Sequence, residues 1–486
     1  MKLIVLALLV SAALPATGDD LGRLTTALRD SSALEKDLAY LNDAIGGRPT
    51  GSAANQRAVA WAESRLREIG VAVHREPFTM PARWLERSAR VTIQGNDVSF
   101  AARAAAMPFS TGTGPEGVTA ALLDAGRGTP DDFARLGGRA SGAFLLIEQN
   151  LLADIDGLFQ EYIDTAAIEE RAFAANAAGV VYMASRASGI LYRHNVAIQE
   201  ANTRPMVILE REAAMRAKRV LESGVPLTFT AILDIDRGGS YTAENVVADI
   251  PGRSGNTDVV LMGAHLDSWD LGGGTLDNGA NVALIIDLAR AIHALKLTPE
   301  RTIRLVLWNG EEQGMIGSRE YVRAHRADLD HIVLAGTIDT GCGQVTGWVT
   351  GARPDVTGLV DRLIAPAANL GPFTQVTDAM SGTDHFDFML EGIPNVVANQ
   401  APATYGPNYH AASDQLEQCD LREQRLNGAR VAALVWQAAN DAARLPRQSR
   451  AEIQGIIDHT GLGAQMKAFG EYEEWARGSR GRAPSK

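Results

Sequence analysis

The segment DVVLMGAHLDSWDLGGGTLDNGAN, residues 258–281, carries the decisive pattern. Val259 to Ala264 form a near-continuous apolar run, as a strand does when both of its faces are covered. The run delivers His265 and Asp267, passes a glycine-rich turn and enters NVALIIDLARAIHALK (281–296), whose apolar residues recur at helical spacing. Similar strand patterns stand at VVADI (246–250), TIRLVLWN (302–309), HIVLAGTID (331–339) and NVVAN (395–399), separated by helical stretches. This alternation predicts an α/β fold with a mixed, largely parallel sheet sandwiched by helices.

Upstream, QRAVAWAESRLREIG (56–70) reads as an amphipathic helix that stops at a glycine. Between the two lies a stretch rich in Ala and Gly with strands of its own (FLLIEQ, GVVYMA, PMVILE) and no dense cluster of His and acids. The expected organisation is therefore a catalytic unit over 19–111 and 237–475, interrupted by an inserted α+β domain over 112–236. Residues 476–486, with Arg477, Arg480, Arg482 and Lys486 among Gly, Ser and Pro, read as a frayed basic tail.

The chain begins with Lys2, an apolar run from Leu3 to Leu14 and small residues ending Ala16-Thr17-Gly18, the pattern of a secretory signal over 1–18. That run is shorter than the ~20 residues a spanning helix needs, so no membrane span is expected. The implied location is secreted or periplasmic. Losing the signal removes one Lys and moves the formal charge from −12 to −13, which gives no attraction for nucleic acid. The two cysteines, Cys342 and Cys419, are free to pair in an oxidising compartment, and the sequence leaves the pairing open.

Chemistry concentrates at the predicted strand ends, where open α/β sheets place ligand sites. Asp267 lies two residues beyond His265, on the same face, where its carboxylate can accept a hydrogen bond from one ring nitrogen while the other binds a metal. Asp277, on the glycine-rich turn, can bridge two cations, or can simply cap the helix that follows. NGEEQGMIGS (309–318) supplies adjacent acids, Glu311 and Glu312. Neighbouring side chains there point apart, so one can hold a metal while the other takes a proton from the attacking water. Asp339 ends a third strand, and YGPNYHAASD (405–414) supplies His410. Together His265, Asp277, Glu312, Asp339 and His410 are an N/O ligand set without sulfur, suited to two zinc ions sharing one carboxylate.

In this order the motifs HLDSWD, LDNGAN, LVLWNGEEQGMIGS, TID and YGPNYH resemble the di-zinc aminopeptidase superfamily, and within it the carboxypeptidase Q (plasma glutamate carboxypeptidase) branch. GGRPTGSAANQRAVAWAESRL (46–66) extends the likeness towards the start, and the middle stretch is similar in general pattern to a protease-associated domain. The resemblance implies a zinc-peptidase fold, one zinc on His265 and Asp339, the other on Glu312 and His410, and Asp277 between them. It implies Glu311 as general base, Tyr409 as a donor to the tetrahedral oxyanion, and SGTDHFDF (381–388) as the loop touching substrate through Ser381, Gly382, Thr383, Asp384 and His385. It further implies dipeptides or small peptides as substrates, and a homodimer. One departure stands out: Asn281 occupies a position where relatives carry a smaller residue. The alternatives are an aminopeptidase acting on longer peptides, a single-zinc cyclase or other amide hydrolase, and a receptor-like binding protein whose catalytic unit is a relic.

Overall fold

The structure is a computed structural model that describes residues 18–194, 202–253 and 255–483. The expected signal segment lies outside the described residues except for Gly18, as does Lys486. Two mixed sheets organise the chain, each with its own apolar core.

The first sheet has seven strands, in the spatial order Ala72–Met80, Tyr241–Ile250, Thr302–Trp308, Val259–His265, Ile332–Thr337, Asn395–Gln400 and Val345–Val349. The four strands from Thr302–Trp308 to Asn395–Gln400 run parallel, while the outer pairings are antiparallel. Their carboxyl ends therefore share one edge. The helix Ala280–Ala294 is buried along nearly its whole length against this sheet, which is why it reads as apolar on almost all sides, and Leu421–Asn440 is buried mainly from Asn427 onward. Burial is tight enough to dictate composition within a strand. A Cβ on Gly263 would fall 2.3 Å from Trp308 Nε1, so a side chain there would displace the indole.

The second sheet has eight strands, in the order Ser99–Ala102, Arg83–Gln94, Leu227–Gly238, Val118–Asp124, Phe144–Ile147, Gly179–Met183, Met206–Leu209 and Ala104–Ala106. It begins at Arg83, not at 112 where the sequence reading put the start of the insert. The early strands alternate like any half-buried strand, and their sheet is chosen by partners more than a hundred residues away, such as Arg83 opposite Gly238.

The frayed tail is a correction. Arg480 is 4% exposed and forks onto both oxygens of Asp387 at 2.9 and 2.7 Å, with Glu471 3.2 Å away. Cys342 and Cys419 form a disulfide with Cα atoms 5.4 Å apart, well within the range such a bond needs. Among the described residues no helix is long and apolar enough to cross a membrane.

Candidate metal centre

The parallel strands bring the sequence-predicted ligands to one edge. His265 closes its strand, Glu311 and Glu312 follow Trp308 on a turn, and Asp339 follows Thr337. His410 arrives on the loop after the Asn395–Gln400 strand. Asp277 is carried in by the glycine-rich turn. A Cβ on Gly274, which sits at φ +62°, would lie 2.3 Å from Ser268 Oγ and 2.9 Å from Arg48 Nη1, so the turn closes this tightly only with glycine.

Two triads of buried donor atoms result, His265–Asp277–Asp339 and Asp277–Glu312–His410, with Asp277 common to both. His265 Nε2 lies 3.0 Å from Asp277 Oδ1 and 2.9 Å from Asp339 Oδ1. His410 Nε2 lies 3.3 Å from Asp277 Oδ2 and 2.9 Å from Glu312 Oε2. Each oxygen of Asp277 thus faces a different imidazole. Glu311 stands apart from both triads, its Oε2 4.0 Å from His265 Nε2.

Electrostatics mark the place as one that a cation would suit. Burial, reinforced by Asp339, Asp384 and Glu312, pushes Glu311 well above the ordinary carboxyl range. Burial and Asp277 raise Glu312 to about 7, although His410 pulls the other way. Burial lowers the affinity of His410 for a proton, but Glu312 and Asp277 outweigh it and lift the ring to about 9. Glu312 Oε1 is buried and has no hydrogen-bond partner among the described residues. Buried carboxylates in excess, two imidazoles and an orphaned oxygen fit zinc, which takes His nitrogen and carboxylate oxygen ligands.

The surroundings explain the ligands' orientation and revise one expectation. The Asp267 carbonyl, rather than its carboxylate, accepts the hydrogen bond from His265 Nδ1 at 3.0 Å, and the nearest carboxylate oxygen is 3.8 Å off. The carboxylate is engaged elsewhere, accepting from the Thr50 hydroxyl at 2.9 Å and from the backbone N–H groups of Glu311 and Glu312 at 3.4 Å each. Asp267 therefore caps the turn that presents the two glutamates. Asp414 does the same for the bridging residue, accepting from Leu276 N at 2.7 Å and Asp277 N at 3.2 Å. Arg48, fully buried, donates to the carbonyls of Leu266, Gly273 and Gly274 at 2.6, 2.9 and 2.9 Å and ties down the glycine-rich turn. The GGRPTGS stretch signals both Arg48 and Thr50, but as a quoted motif rather than as residues with roles. Asn281 is buried and paired: it donates to Asn278 Oδ1 at 2.7 Å and accepts from Gln424 at 3.0 Å.

A cavity of about 140 Å³ opens on the centre, with Glu311, Tyr409 and Ser381–Thr383 in its wall. Asp384 and His385 are not in that wall. Both are buried behind it, at 0% and 2% exposure, where the loop turns into the short helix Phe386–Leu390. Burial also pulls His385 down to about 4. On the Glu312 side lies a second cavity of about 280 Å³, reaching Arg319, Glu471, Glu474 and Arg480. Tyr162, Met315 and Phe469 line both. Tyr162 comes from the second layer and lies 3.0 Å from Tyr409, hydroxyl to hydroxyl; sequence reasoning gave it no role, because nothing local distinguishes it from a helix tyrosine.

Residues 245–435 match Peptidase family M28. Carboxypeptidase Q of Bos taurus is 28% identical over 418 residues, covering 84% of this chain and 86% of its own. The probable lipoprotein aminopeptidase LpqL of Mycobacterium tuberculosis is 29% identical, covering 84% of this chain and 83% of its own. The crystal structure of a peptidase M28 precursor from Shewanella amazonensis superposes with a TM-score of 0.79 at 25% identity, over 89% of this chain and 99% of that one.

Proposed function

Given that the chain is a zinc metallopeptidase whose residues 245–435 match family M28 and that it is similar to carboxypeptidase Q, we propose that it is a secreted exopeptidase that holds two zinc ions and hydrolyses dipeptides or small peptides. The observation that carries this reading is Asp277, with one oxygen on the His265–Asp339 triad and the other on the Glu312–His410 triad. A carboxylate shared in this way suits a pair of ions.

When bound, zinc supplies Lewis acidity: it polarises the scissile carbonyl and makes a water acidic enough to lose a proton near neutral pH. The rest falls to the chain. Glu311, a wall residue outside both triads, takes the proton from the water whose oxygen attacks the carbonyl carbon. As the carbon–nitrogen bond breaks, the same residue returns that proton to the leaving amine. Tyr409 is a candidate donor to the oxygen that becomes negative, and its link to Tyr162 leaves one hydroxyl proton of the pair free to point into the cavity. The complete pair of donor triads and the presence of Glu311 in the cavity wall argue against the receptor-like alternative.

The cavities that share Tyr162 and Phe469 offer room for a short substrate beside the donor triads. In this reading the second layer is an inserted protease-associated domain, supported by its separate core, and a homodimer is expected from the resemblance. An aminopeptidase acting on longer peptides is the second reading, favoured by the similarity to LpqL over 84% of the chain. Dipeptides blocked at the amino end, blocked at the carboxyl end and left free decide between them. Turnover of the free form alone supports the dipeptidase; turnover of the N-blocked form eliminates the aminopeptidase; turnover of long peptides with free amino ends overturns the dipeptidase.

A further inference from the structure

The two histidines of the centre are held from behind in different ways. His265 donates through Nδ1 to the carbonyl of Asp267, two residues away in its own loop. His410 donates through Nδ1, at 3.1 Å, to the carbonyl of Arg193, 217 residues distant and part of the second layer. The main chain around His410 is paired to the same segment: Arg193 N donates to His410 O at 2.9 Å, Ala412 N donates to Leu191 O at 2.9 Å, and Tyr192 bridges to Ala411. This grip matters because His410 sits at φ +54°, a conformation that a residue other than glycine holds only when its surroundings impose it.

The segment that grips is itself anchored by one side chain. Arg193, with no exposed side-chain surface, forks onto Asp270 through Nε and Nη2 at 2.8 and 2.9 Å. Its Nη1 reaches Glu86 Oε2 and the Ala106 carbonyl, each at 2.6 Å. Asp270 belongs to the loop that follows His265, whereas Glu86 and Ala106 belong to the second sheet. A planar guanidinium anchored in several directions fixes the backbone that carries it far more rigidly than an ammonium would. Carbonyls behind metal-binding histidines select the tautomer and aim the ring.

We propose that Arg193 is a positioning residue for the metal centre, a clamp between the layers whose carbonyl aims His410 Nε2 at Asp277 and Glu312. It follows that one of the two ions is held through the second layer and the other is not. The inference rests on the two-ion reading above.

The test is stepwise zinc uptake by metal-stripped protein against a competing chelator, for the wild type, Arg193→Met and Asp270→Asn, with His410→Ala marking which step belongs to His410. The expected result is an affinity about 10–100-fold weaker in the His410 step of Arg193→Met, with the other step within about 2-fold of the wild type. Asp270→Asn, which keeps the shape and loses the charge, shows the same selective change at smaller size, and carries the test if Arg193→Met does not fold. Arg193→Lys restores only part of the affinity. A merely structural Arg193 would weaken both steps together or neither, and either result overturns the inference while leaving the two-ion reading intact. Uptake of fewer than two ions by the wild type overturns both.

Discussion

The hydroxyls of Tyr162 and Tyr409 lie 3.0 Å apart, joining the helix Ile155–Ala174 of the second layer to the residue that stacks on His410 with ring centres 3.6 Å apart. If Tyr409 serves the oxyanion, Tyr162 sets the direction of its proton. Tyr162→Phe deletes one hydrogen bond, a loss of about 1 kcal/mol or roughly 5-fold. We expect that fall in kcat for a free dipeptide, with KM changed by less than about 2-fold. A change confined to KM would place Tyr162 in substrate binding instead.

Glu311→Gln keeps the side chain's shape and leaves both donor triads untouched. Zinc content per chain should equal that of the wild type, while turnover falls by about 10²–10⁴-fold, the range for losing a general base. Removing the metal with a chelator should abolish wild-type activity, and zinc should restore it. Equal activity in variant and wild type would remove Glu311 from the mechanism.

The Cys342–Cys419 bond closes a loop across a sequence separation of 77 residues, between the loop after Asp339 and the segment after His410. Chain-entropy arguments put its contribution at about 4 kcal/mol. Cys419→Ser should lower the stability measured by urea unfolding by about that much, with reductant destabilising the wild type alone. A variant as stable as its parent would mean the bond is dispensable.

Glu471 gives a pH dependence whose sign can be worked out. Burial, with Asp387 and Glu474 adding, lifts its carboxyl to about 8 although Arg480 pulls it down; the ordinary value is 4.5. Between about 4.5 and 8 the folded protein keeps a proton that the unfolded chain releases, so this group's contribution favours folding at the acid end and is lost as pH rises to about 8. The loss is on the order of 5 kcal/mol. Glu471→Gln should therefore gain stability over the wild type from pH 5 to pH 8, as unfolding midpoints at several pH values would show. Parallel profiles would refute it.

What the sequence reveals depends on how local the signal is. His265, Asp277, Glu312, Asp339 and His410 stand at strand ends or tight turns, each inside a short motif, so type and spacing alone pick them out as ligand candidates. The residues behind them are illegible for the opposite reason. Arg193 looks like any arginine after a tyrosine, and its importance comes from Asp270, 77 residues on, and from Glu86, 107 residues back. Arg480 lies among Gly, Ser and Pro and reads as solvated until Asp387, 93 residues earlier, appears beside it. Asp267 shows a subtler limit. Side-chain periodicity places its carboxylate on the correct face of the strand, but periodicity says nothing about which backbone carbonyl a ring nitrogen meets first.

Arg480 and its neighbours have a practical consequence. Phe469, Glu471, Glu474 and Arg480 all border the cavity beside Glu312, so the last stretch of the described chain is built into the wall of the candidate site. Trimming the chain back past Arg480 to aid crystallisation would therefore remove part of that wall, and kinetics gathered on such material should be compared with those of the full chain.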